Sequence, residues 1–290
     1  MTDRLSVRKT YKLYIGGAFP RSESGRSYTV DDAKGNFLAN ASRASRKDVR
    51  DAVVAARKAQ SGWAGRTPYN RGQILYRVAE MLEGRREQFT EELRATGLTK
   101  VAAGTEVEAA VDRWVWYAGW ADKIAQVTGT ANPVSGPFFN FSTPEPTGVI
   151  GIVAPDGPLL GLVSVLAPVI AVGNTAVLVA AEPAPLPAIT LGEVLATSDL
   201  PGGVVNILTG HRAELAPWLA SHMDVNGLDL TGLAGPDGAG GDLATECEQA
   251  AAENLKRVLR PVRNDWTADP GTDRMTTFLE TKTVWHTVGV

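Results

Sequence analysis

Cysteine is almost missing from this chain: Cys247 is the only one in 290 residues. A single thiol excludes an intramolecular disulfide framework and a cysteine-based metal cluster, and it suits a reducing, cytoplasmic setting. Histidine is scarce as well. His211, His222 and His286 are scattered without metal-ligand spacing, so no metal site is expected. Excess charge of either sign is absent, with 29 Lys plus Arg against 32 Asp plus Glu and a formal net charge of -3. That balance gives no electrostatic reason to expect nucleic acid or an anionic membrane as partner. The opening "MTDRLSVRKTYKLYIGG" lacks the apolar stretch of a signal peptide, so none is expected.

Charge is missing altogether from residues 157–181. A run of that kind raises the question of a membrane span. Pro158, Pro168 and the Gly173-Asn174 pair divide it into a helix and a strand, which is the pattern of a buried α/β core.

What is present is an apolar content of 44%, enough for a sizeable core. "LYIGGAFPRSESGRSYTV" reads as short strands joined by turns. A helix follows with Val49, Val53, Val54 and Ala56 facing one way. Its basic cluster Arg43, Arg46, Lys47 and Arg50 is interleaved with Asp48 and Asp51, as on a solvated face. Thr67-Pro68 is a helix start, with a hydroxyl cap and proline in the first turn. Thr105 with Glu108 predicts a second start through a capping box. Trp114, Trp116, Tyr117 and Trp120 at helical spacing read as core and interface.

"GPFFNFSTPEPTG" is an extended arm. After it strand and helix alternate: "VIGIVA", "PLLGLVSVLAPVIAV", "TAVLVA", "PLPAITLGEVLATS", "VVNIL", a short helix around Ala213 to Ala220, "VNGLDL", and a helix read through "GDLATECEQAAAENLKRVL". Such alternation predicts an α/β fold, a Rossmann-like doubly wound parallel sheet with right-handed crossovers. The division expected is 1–136 for N-terminal strands and helices, 137–146 for an oligomerisation arm, 147–260 for the αβ core, and 261–290 for a linker and a C-terminal strand. That strand, around Phe278 to Val288, needs a sheet to join, in this chain or another.

Taken in order, "YIGGAF", "TPYNRGQILYRVAEMLE", "VDRWVWYAGWADKI", "EPTGVIGIVAP", "LAPVIAVGNTAVLVAAEPAPL", "LPGGVVNILTG", "LTG" and "ENLKRV" resemble the N-terminal half of the aldehyde dehydrogenase superfamily. "FLETKTVWHTV" resembles its C-terminal oligomerisation strand. The resemblance implies an NAD(P)-binding fold, and Glu182, Thr231 and Gly232 match the family's cofactor contacts.

The departures from that pattern bear on catalysis. The family's catalytic domain, with its nucleophilic cysteine, lies between the "ENLKRV" stretch and the tail. Here the linker Arg260 to Met275 occupies the interval. The family's oxyanion asparagine aligns with Asp156, its ribose-binding lysine with Val179, and the serine after Thr-Gly with Leu233. No carboxylate stands near Arg260-Pro261, where the general base falls. A carboxylate at 156 repels a developing oxyanion. Cys247, between Glu246 and Glu248 and mid-helix by pattern, is a poor nucleophile, because neighbouring carboxylates disfavour the thiolate. No catalytic residue is therefore assigned.

The glycine-rich "TGLAGPDGAGGD" leads into a helix as a phosphate loop does, yet it lacks the Lys-Ser/Thr of a P-loop and reads as a lengthened surface loop. The expectation is a non-catalytic subunit with at most weak NAD or NADP binding. In the family the tail strand pairs with a neighbour's catalytic domain, so the implied partner is a full-length aldehyde dehydrogenase homologue, or a second copy of the chain in a homo-oligomer. The alternatives are an active NAD(P)-dependent aldehyde oxidoreductase and a dinucleotide-binding sensor.

Overall fold

The computed structural model describes residues 9–235 and 237–288. Three short strands come first: β1 (Thr10–Tyr11), β2 (Ser27–Asp31) and β3 (Phe37–Ser42), in the sheet order β1-β3-β2. Helix α1 (Arg46–Ala64) begins in a complete capping box: Ser45 Oγ accepts the Asp48 amide, and Asp48 accepts the Ser45 amide at 2.8 Å. Of the apolar stripe read from the sequence, Val49, Val53 and Ala56 are buried, joined by Trp63, while Val54 is 56% exposed. Helix α2 (Pro68–Glu83) is capped by Thr67 as expected, and α3 (Arg86–Ala95) follows.

Helix α4 (Lys100–Trp120) starts earlier than the expected capping box. Thr99 Oγ1 accepts the Ala102 amide, and Thr105 and Glu108 lie inside the helix. Two hydroxyls compete for the role, and the first one reached after the Gly97 turn, where φ is +104, takes it. After α5 (Ile124–Thr128) come β4 (Thr130–Asn132) and the arm β5 (Phe138–Pro146).

The alternating segment forms β6 (Val149–Val153), α6 (Leu160–Ala171), β7 (Thr175–Val179), α7 (Leu186–Ala196), β8 (Val205–Leu208), α8 (Arg212–Ser221), β9 (Gly227–Asp229), α9 (Asp242–Ala252) and β10 (Arg257–Leu259). All pairings are parallel, in the order β10-β9-β6-β7-β8. Every residue of α6 is buried, which explains the charge-free run. It is a core helix against the sheet, and no helix among the described residues is long and apolar enough to cross a membrane. Each fully buried aliphatic side chain there stabilises by about 1.5–3 kcal/mol.

The sequence reading carried the last helix through Leu259, but α9 ends at Ala252. Leu255 adopts φ +56, which breaks the helix, and Arg257–Leu259 then pair with Gly227–Asp229 as an edge strand.

The tail also departs from expectation. After α10 (Asp273–Thr277), β11 (Leu279–Thr287) pairs antiparallel with β5 of its own chain over its whole length, from Leu279 opposite Pro146 to Thr287 opposite Phe138. The order of this sheet is β11-β5-β4, so its mate within the chain is the arm, and the outer edge of β11 has no strand beside it among the described residues. The tail is anchored at its root. Phe278 is 1% exposed, and its carbonyl accepts Asn174 Nδ2 at 2.9 Å and the Thr147 amide at 3.2 Å. The Gly173-Asn174 turn that opens β7 thus also holds the tail, with Gly173 at φ +97.

Candidate functional site

The chain runs from β6 outward to β7 and β8, then returns to the other side of β6 to lay down β9 and β10. The direction of winding therefore reverses between β6 and β9, and ligands of open α/β sheets bind beyond the carboxyl ends of strands at such a point. The crevice there is walled by Pro155, Asp156 and Gly157 after β6 and by Thr231 and Gly232 after β9. Val262 to Trp266 of the linker supply the third wall of a cavity of about 330 Å³.

Several polar groups around this crevice are already paired within the chain. Glu182, past the end of β7, accepts His211 Nδ1 at 2.6 Å on one oxygen and the Arg212 amide at 3.0 Å on the other. Burial alone raises the Glu182 carboxyl, but the His211 and Arg212 contacts outweigh it and hold the group below its ordinary range. The Arg212 guanidinium crosses to the far side, donating to the Ala154 carbonyl at 2.7 Å and to Asp156 Oδ1 at 2.6 Å. Asp156 is therefore neutralised by a cation rather than directed at a reacting group. Glu106 of α4 accepts both the Leu159 and Leu160 amides at 3.2 Å. A carboxylate of the chain thus fills the anion position at the start of α6. On the β9 side Asp229, 1% exposed, pairs with Arg274 at 2.8 Å and accepts the Thr231 amide at 2.9 Å, while Arg274 also donates to Thr231 Oγ1 at 3.1 Å.

No nucleophilic thiol faces this arrangement. Cys247 is fully buried in α9, packed with Leu215, Ala216 and Leu219 of α8 and other apolar side chains under the sheet. Burial first, and Glu246 second, push its thiol up to about 12. The sequence reading named the flanking carboxylates as the cause, and burial is the larger one.

The three matched cofactor positions have structural duties here. Glu182 and Thr231 carry the contacts above. Gly232 allows a close approach, since a Cβ at that position would lie 2.1 Å from the Ala154 carbonyl oxygen. Val179 is wholly buried in β7, and Leu233 is half-buried against the core. Position 179 therefore offers no cation at the end of β7, and Glu182 is already engaged by His211 and the Arg212 amide. The glycine-rich loop spends amides on itself, Gly235 N donating to Ala239 O at 2.7 Å and Ala239 N to Asp237 Oδ1 at 3.0 Å. No group of three or more His, Cys, Asp or Glu suited to a metal ion occurs among the described residues.

Sequence reasoning missed His211, Arg212, Arg113, Trp266, Arg274 and Glu106. Only His211-Arg212 carried a local signal, lying just past the Thr-Gly that ends the β8 strand, where site residues gather.

A model of the aldehyde dehydrogenase family matches residues 19–259. The chain belongs to the aldehyde dehydrogenase family. It is 33% identical over 264 residues to retinal dehydrogenase 2 of Homo sapiens, covering 89% of this chain and 49% of that protein. It is 33% identical over 262 residues to the cytosolic 10-formyltetrahydrofolate dehydrogenase of Mus musculus, covering 88% and 28%.

Among solved structures it resembles HpcC of Thermus thermophilus with a TM-score of 0.80 at 29% identity, over 86% of this chain and 47% of that one. It resembles the NAD+ complex of an aldehyde dehydrogenase from Bacillus cereus with a TM-score of 0.78 at 27% identity, over 86% and 50%. The chain thus spans about half or less of the length of these aldehyde dehydrogenase relatives. What the family supplies here is the doubly wound sheet.

Proposed function

We propose that this chain is a non-catalytic member of the aldehyde dehydrogenase family that assembles with a full-length NAD(P)-dependent aldehyde dehydrogenase and stabilises or regulates it. The observation that carries the reading is Cys247. The chain's one thiol is sealed in the core of α9 with its proton held up to about 12, away from the crevice where an aldehyde would have to react. The internal pairing of Glu182, Asp156, Arg212 and Asp229 supports it, because a cofactor would have to break those contacts to enter.

The outer edge of β11 supports the assembly half of the reading. It leaves backbone donors and acceptors open to a further strand. Beside it Trp285 is 59% exposed and Phe139 52%, as in a surface built to be covered. A cytoplasmic setting suits the reduced, lone thiol.

Co-expression with full-length homologues, followed by light scattering on the co-purified material, tests the proposal. A stable mixed oligomer is expected. A homo-oligomer that ignores every homologue overturns it.

The switch-point cavity favours one second reading, a dinucleotide sensor. Calorimetric titration with NAD and NADP separates the two, micromolar affinity supporting the sensor. Reduction of either cofactor by the isolated chain with aldehydes would instead establish an active oxidoreductase.

A further inference from the structure

We propose that the linker Arg260 to Thr272 is a strap that closes the switch-point crevice from the chain's own substance, standing in for the second lobe implied by the family resemblance. The inference does not depend on assembly with a partner.

Three attachments hold the strap. The first is Arg113 of α4, which is 9% exposed. Its Nη2 donates to the carbonyls of Trp266 at 2.7 Å and Ala268 at 3.2 Å, and its Nη1 donates to Ser164 Oγ of α6 at 2.8 Å. A guanidinium is costly to bury among neutral acceptors. This one has no carboxylate within bonding distance among the described residues, and it spends its two terminal nitrogens tying the strap to α4 and α6. A linker that merely connected two elements would not draw a buried cation to its carbonyls.

The second attachment is the indole of Trp266, which lies against Gly157 and Gly161. A Cβ at Gly161 would stand 3.2 Å from Trp266 Nε1 and 3.0 Å from Pro155 Cγ, so the absence of a side chain there makes the seat. The third is Arg274, just beyond the strap. It stands 5.2 Å from the Trp266 ring centroid and is bound to Asp229 and Thr231 at the end of β9. The strap's own bends are shaped locally: Asp265 Oδ1 accepts the Thr267 amide at 2.9 Å and Asp269 Oδ1 accepts the Gly271 amide at 3.0 Å. A segment so anchored covers the ends of β6 and β9 and the first turn of α6.

The test places a reporter thiol beneath the strap. Ser164 is 1% exposed and lies under Arg113, so Ser164→Cys in a Cys247→Ala background reads opening by its reaction with Ellman's reagent in the full chain. Trp266→Ala is expected to speed that reaction at least tenfold in dilute buffer with little dependence on low urea, the mark of a local opening. Trp266→Phe is expected to keep it slow.

Trypsin cleavage after Arg263 is read in parallel, with the natural residues at 164 and 247. It is expected to rise at least tenfold in Trp266→Ala. Unchanged cleavage and labelling would overturn the strap. So would acceleration that appears only with the steep urea dependence of global unfolding.

Discussion

Replacing Arg274 with methionine takes from Asp229 its charged partner. Asp229 is 1% exposed and the Arg274 side chain 14%, so water reaches this pair poorly. Through Oδ2 the carboxylate accepts Arg274 Nη1 at 2.8 Å, and through Oδ1 the Thr231 amide at 2.9 Å. Breaking a buried pair by removing one member costs roughly 3–5 kcal/mol, since the other charge is left uncompensated. The surviving amide bond and the partial exposure of Arg274 set the expectation at the lower end, about 3 kcal/mol. With an unfolding entropy of about 2.1 cal/mol/K per residue, the thermal midpoint falls by roughly 5 °C for a chain of this size. Adding Asp229→Asn removes the stranded charge and is expected to recover about 2 kcal/mol of the loss. Urea unfolding followed by circular dichroism, with the slope unchanged between variants, measures both. A loss below about 1 kcal/mol, the range of exposed pairs, would refute the reasoning. A double variant no better than the single one would refute it as well.

Three further outcomes are expected. The Cys247 thiol, raised from 9.0 to about 12 in the fold, keeps its proton where the unfolded chain has lost it. The unfolded state then binds fewer protons, so stability falls as pH climbs from about 9 toward 12. Cys247→Ala flattens that slope in urea titrations between about pH 8.5 and about pH 10.5. The buried tyrosines supply the rest of it, Tyr14 and Tyr117 among them, both raised to about 12. Gly232→Ala drives a methyl to 2.1 Å from the Ala154 carbonyl oxygen, so it is expected to unfold or misassemble the β6–β9 junction, seen as lost soluble yield and a lowered midpoint. A fully soluble, unshifted variant would show that the junction yields. Phe278→Ala empties a site that is 1% exposed and should cost about 3–5 kcal/mol in the same unfolding assay.

The parallel core was legible because its signal is local. Apolar runs such as "VIGIVA" and "TAVLVA" became β6 and β7, and Thr67-Pro68 marked the start of α2. Local signals failed where two of them competed or where distant chain decided. Thr105 with Glu108 satisfies the capping pattern as well as Thr99 does, and only the preceding turn discriminates. Arg257–Leu259 prefer neither state strongly, and the open edge of β9 makes them a strand. The tail's need for a sheet was readable from its alternation, but its mate was not, because β5 lies far upstream in the chain.

The site divides in the same way. That Val179, Leu233 and Asp156 depart from the family pattern is visible residue by residue. That Arg212 spans from α8 to Asp156, or that Arg113 reaches the linker, depends on contacts between segments distant in sequence, for which no spacing rule exists.

Gly157 and Gly161 both touch the indole of Trp266, yet they differ in how much change they tolerate. A carbon added at 157 meets Trp266 atoms at 3.6 Å, an ordinary contact, whereas one added at 161 is wedged between proline and tryptophan at 3.0 and 3.2 Å. A side chain at the first glycine fits the fold as it stands, while one at the second requires the proline or the tryptophan to give by a few tenths of an ångström. The seat of the tryptophan on the first turn of α6 is therefore set by what is missing at 161, and much less by what is missing at 157.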